Sequence, residues 1–219
     1  MLFRSVLASF LQQTDGIQCI LLAIRIFHSL METESHLLFS SSNVCVKLRT
    51  ITTHCKAIHE ILTTRFKLGE ILPKESPALN TTGDVVSWLC SSAKVSRLLS
   101  NPSDSMLFST SALKLLKYIS STQAGNLLNA KVFSEHGDVM SLHCKYELSL
   151  SYHKQAATIH AEIYNENHQD VASCQSSLGN VCQDLGQHSQ AKEHHEKALN
   201  IRKAIYGEQH SDEIGRAHV

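Results

Sequence analysis

Proline is scarce, with three residues in a chain of 219, and there are only nine glycines. So few chain breakers argue against a turn-dense all-β domain and for helices. A charge excess is also missing, since 20 Lys and Arg balance 20 Asp and Glu. Without a Lys/Arg run or a basic balance, nucleic acid is not an expected partner. No apolar run is long enough to span a bilayer. The best candidate, IQCILLAIRIF at 17–27, is too short and is broken by Arg25. Gln12, Gln13 and Asp15 precede it where a signal peptide would carry basic residues. It reads as a buried helix, no membrane partner is expected, and cytoplasmic residence is the default.

The chemical motifs are missing as well. Seven cysteines are scattered, odd in number and without a CxxC pair, so they read as free thiols in a reducing compartment. No phosphate-cradling glycine loop, nucleophile elbow or HExxH zinc motif occurs. The chain is therefore expected to be non-enzymatic, without a cofactor or metal. His54, Cys55 and His59 do not form a ligand set, because Cys55 lies on an apolar stripe that the two histidines flank. His188, His194 and His195 read as a solvated helix face. His168 and His210 each precede a helix start and read as hydrogen-bonding residues of a loop.

What is present is a repeat. YHKQAATIHAEIYNENHQD (152–170) aligns without gaps to HHEKALNIRKAIYGEQHSD (194–212), 42 residues on, with eight of 19 positions identical. A repeat of this length points to stacked helical pairs. Between the copies lie two helices. One begins near Asp170 and carries Val171, Cys174, Leu178, Val181 and Leu185 at helical spacing, and Gly186 permits the left-handed residue that ends it. The second, from about Ser189, presents Ala191, His195, Ala198, Leu199, Ile201 (or Arg202 on the flank) and Ile205 before Gly207. Gly179 and Ala191 let the two helices approach closely, and Ala198 lets a neighbouring unit dock. Such a pair cannot bury its apolar faces alone. Gly137, Met140, Ser149 and Ala156 fall 42 residues before Gly179, Cys182, Ala191 and Ala198, which predicts a degenerate preceding unit.

The spacing Leu178-Gly179, Leu185-Gly186, Ala191 and Ala198 resembles the tetratricopeptide repeat, and the long second helices with the HxD loop resemble the kinesin-light-chain and nephrocystin-like variety. Cys182 and His195 depart from it where aromatics are usual, as does Ser211 where proline is common. The resemblance implies an all-α, helical-hairpin solenoid over 126–212, preceded by an irregular helical region over 6–125 that is either diverged repeats or a separate domain. It also implies a non-catalytic scaffold whose concave face binds peptide segments of a protein partner. On the definable unit that face would carry Ser173, Ser176, Asn180, Gln183 and Asp184, with Asn180 placed to reach a ligand backbone. A carboxylate-clamping specificity is not implied, because Ser176 stands where such relatives carry Lys. The alternative is the repeat arm of a larger regulatory NTPase whose nucleotide domain lies upstream.

Upstream, Val44, Leu48, Ile51, Cys55, Ile58, Leu62 and Phe66 make one helical stripe before Gly69 and Pro73. Thr81 and Asp84 are expected to cap a helix carrying Val85, Trp88, Leu89, Val95 and Leu99, ended by Asn101-Pro102. SALKLLKYI and AGNLLNAKVF add further helical segments. None of these echoes the later unit at 42 residues. At the two ends, MLFRS (1–5) and EIGRAHV (213–219) match translated sequencing-adaptor codons, so native sequence is expected over 6–212, as an interior piece of a longer repeat protein. An uncapped last repeat would then be prone to self-association.

Overall fold

In this computed structural model the described residues are 42–64, 80–119 and 122–207, together with Ile24, His28 and Ser29. They are helical, with no strand among them. The chain divides into two compact units, Met1–Ser120 and Ser121–Val219. Most of the apolar stretch at 17–27, Phe66 to Pro77, His210 and both terminal segments lie outside the described residues. Ile24 is helical and buried. Among the described residues no helix is long and apolar enough to cross a membrane.

The first unit contains α1 (Ser42–Thr64), α2 (Asn80–Leu98) and α3 (Pro102–Leu115), the last followed by a 3-10 turn, Leu116–Tyr118. α1 buries Leu48, Cys55, Ile58 and Leu62 along the expected stripe. Its threonines are accommodated because Thr50, Thr52 and Thr53 return their hydroxyls to carbonyls four residues earlier. Trp88 of α2 is fully buried, and its Nε1 donates to Cys55 Sγ at 3.3 Å. Phe108 of α3 meets Trp88 and His59 edge-on. Two expectations change here. α2 begins at Asn80, so Thr81 and Asp84 lie inside its first turns and are not its cap. Asn101-Pro102 opens a helix as well as closing one. Asn101 Oδ1 accepts from Asp104 N, and Pro102 takes a first-turn position where its missing N–H costs nothing.

The second unit is two hairpins, α4 (Gln123–Leu142) with α5 (Tyr146–Ile163) and α6 (Gln169–Asp184) with α7 (His188–Tyr206). α5 also packs on α6, which stacks one hairpin on the next. This is a tetratricopeptide-like helical-hairpin solenoid, and the unit expected before Gly179 exists. At the stacking contact Ala130, Ala156 and Cys174 form a buried cluster flanked by Phe133, Ala157 and Ile159.

The two hairpins turn identically. Gly186 N donates to Gln183 O and Gln187 N to Cys182 O; 42 residues earlier Cys144 N donates to Ser141 O and Lys145 N to Met140 O. This double bond pattern closes a helix around one left-handed residue. Gly186 takes φ 73° and Cys144 takes φ 57°. Only the glycine does so without cost, since a Cβ in this region costs roughly 1–2 kcal/mol. Nothing lies within 4 Å of a Cβ added at Gly186, so backbone strain alone decides the outcome there. Cys144→Gly is expected to stabilise the chain by about 1 kcal/mol, and Gly186→Ala to destabilise it by about the same. Urea unfolding of the two variants checks this, and a destabilised Cys144→Gly would contradict it.

Candidate interaction site

α6 separates its residues by face. Val171, Ala172, Cys174, Leu178, Gly179, Val181 and Cys182 are buried, whereas Ser173, Asn180, Gln183 and Asp184 are exposed and Ser176 is half-buried on the other side. The 3.6-residue period alone puts those five polar positions in one row. His168 starts the helix, its Nδ1 accepting from Asp170 N at 3.2 Å, in the loop role the sequence suggests.

The five row residues differ in how they are held. Ser173 returns its hydroxyl to Gln169 O, and Ser176 Oγ accepts from Arg202 of α7 at 2.9 Å. Asn180 and Gln183 make no side-chain hydrogen bond with the described residues. Arg202 was not among the residues expected to touch this row, because a cross-helix bond leaves no periodic signal. At the corresponding positions α4 carries Lys131, Ser134, Asp138, Ser141 and Leu142. Here Ser141 Oγ pairs with the buried Ser149 at 2.8 Å and Asp138 Oδ1 lies 3.4 Å from His153 Nε2.

The residues expected to pack the repeat differ in burial. Leu178, Gly179, Ala191, Ala198 and Ala156 are buried, Leu185 is half-buried at the helix end and Gly186 forms the exposed turn. Two readings are corrected. His194 and His195 are not a solvated face. His194 Nδ1 bonds Gln175 Oε1 at 2.8 Å, and the His195 ring lies over Gly179. Leu199 and Ile205 are exposed, not part of the packed stripe. His59 likewise leaves the flank expected of it, buried against Phe108 and bonded to Ser111 at 2.8 Å.

At three cysteines burial disfavours the thiolate. Burial pushes Cys55 and Cys174 up to about 11, and Cys182 is also raised. None of the five described cysteines is in a disulfide. An open groove follows α5 along Glu147, Leu150, Ser151, Lys154, Gln155 and Thr158. Its walls come from a single helix and carry both charge signs, so it offers a surface more than an enclosed site.

Residues 128–204 match the family model described as the tetratricopeptide repeat. No curated protein matches the chain. The match spans the two stacked hairpins almost end to end and supports a tetratricopeptide repeat protein.

The buried histidines link this architecture to pH. Burial holds His59, His136 and His160 below the usual imidazole range. For His136 Lys145 acts in the same direction, and for His160 Asp170 partly opposes. Above about pH 6.5, the ordinary imidazole value, folded and unfolded chains both leave these rings neutral. As pH falls through 6.5, the unfolded chain takes up protons that the folded chain refuses, so stability is lost. The melting temperature is expected to be flat from pH 8 to 7 and to fall between pH 6.5 and 5. His136→Gln and His160→Asn should each flatten that slope. A midpoint that rises on acidification would contradict this.

Proposed function

We propose that this chain is a non-catalytic scaffold that binds a peptide segment of a protein partner along the outward row of α6, with Asn180 as the central contact. Tetratricopeptide repeats generally mediate protein–protein interaction, and the supporting observation here is the pair Asn180 and Gln183. Both are exposed on one helix, and neither amide is hydrogen-bonded to another described residue. A carboxamide donates and accepts at once, which suits the alternating N–H and C=O groups of an extended peptide. Ser176, held by Arg202, sets one border of the row, and Asp184 adds a negative charge at the other. The absence of a disulfide among the described cysteines fits a reducing, cytoplasmic setting.

The test uses peptides selected on the full chain from a random 12-residue display library. Asn180→Ala is expected to weaken the selected peptides roughly fivefold, the loss of about 1 kcal/mol in hydrogen bonding, without moving the melting temperature. If no peptide is selected, or if Asn180→Ala leaves affinity unchanged, the proposal fails.

A further inference from the structure

We infer that α2–α3 is a third, diverged unit of the same repeat, upstream of the matched segment, and that Lys94 is its ligand-facing side chain, suited to an acidic group on a partner segment. The second part rests on the peptide-binding reading of α6.

The first observation is the turn. Leu99 N donates to Val95 O, Ser100 N to Arg97 O and Asn101 N to Ser96 O. These are the same bonds that His143, Cys144 and Lys145 make, and again Leu185, Gly186 and Gln187. Ser100 has φ 57°, matching Cys144. The last residue of each turn then accepts from the N–H four residues on: Asn101 from Ser105, Lys145 from Ser149 and Gln187 from Ala191. Three connections of this form stand 44 and 42 residues apart.

The second observation is independent of the turn. Once aligned on it, the buried positions repeat. Val95, Val139 and Val181 coincide, as do Ser105, Ser149 and Ala191, and Ala112, Ala156 and Ala198, and all nine are buried. Where the later hairpins oppose Gly137 to His153 and Gly179 to His195, the first has Ala93 and Ser109, both buried. A methyl added on one helix is matched by a much shorter side chain at the aligned position of the other, a different division of volume that is compatible with close packing. Divergence of this kind, with a spacing two residues longer, explains why the sequence shows no 42-residue echo here.

The alignment also says what α2 presents outward. Asn180 corresponds to Asp138 and to Lys94, and Lys94 is exposed. Gln183 corresponds to Arg97, half-buried one turn further on. Cys90, at the position of Ser176, is buried, so the row is narrower than that of α6 and its exposed charge is positive. An extended partner segment carrying Asp or Glu is the ligand chemistry that complements it.

Two experiments on the full chain separate the claims. In a crystal structure, residues 85–116 are expected to superpose on 171–202 better in the 86-residue register than in registers shifted by one to four residues, with Ser100 left-handed. A better fit in another register, or a different turn, overturns the third unit. For the ligand, acidic peptides selected from the random 12-residue library are expected to weaken several-fold in Lys94→Glu and to be retained by Lys94→Arg. If Lys94→Glu weakens none of the selected acidic peptides while Asn180→Ala weakens the peptides bound to α6, the role of Lys94 is overturned and the α6 reading stands. If no peptide is selected, both binding claims fall.

Discussion

An imidazole ring laid over a glycine holds each of the two matched hairpins together. A Cβ placed on Gly137 would meet His153 Nε2 at 2.9 Å, and one on Gly179 would meet His195 Cε1 at 2.6 Å. Real Cβ atoms do not approach that closely, so both helices come together only because one residue has no side chain. The buried Ser149 and Ala191 then fit against the facing helix, and the three-residue turns can close with one left-handed residue each. His153 is 1% exposed and has no room to swing aside. His195 is half-buried and does. The longer of the two distances therefore marks the tighter constraint.

A different set of rings, His59, His136 and His160, underlies the loss of stability expected in acid. Buried imidazoles serve here as flat, neutral packing groups. His136 meets Tyr152 edge-on, and Tyr164 stacks between His160 and His168, 3.6 Å from the latter. Neighbouring helices decide which form the repeat can tolerate. His160 is covered, whereas Arg202, 42 residues later, stays half-buried and reaches Ser176.

Legibility in the sequence followed the physics of each element. α6 and α7 were readable because their apolar period and the repeated stretch agreed, and the α6 row followed from the same period. Gly186 was readable because glycine is the expected left-handed residue, while Cys144 and Ser100 adopt that conformation with nothing in their identity to show it. His194 was misread, and His195 was placed both on the packed stripe and on a solvated face, because a polar ring on a helix looks solvated until the glycine or glutamine facing it is known. Asn101-Pro102 read as a stop because proline after a helix breaks it, yet the same proline suits the start of the next. The grip of Arg202 on Ser176 joins two helices at no fixed period, and so it was invisible.

The most direct measurement is a double-mutant cycle on Gly137 and His153, read by urea unfolding of the full chain. Gly137→Ala alone should cost about 2 kcal/mol through overpacking, and His153→Ala alone should cost a comparable amount through the cavity it leaves. Together they should cost clearly less than the sum, because the added methyl occupies space that the ring has vacated. Strict additivity would mean that the glycine and the imidazole do not depend on one another, and the account of how the hairpins close would be wrong.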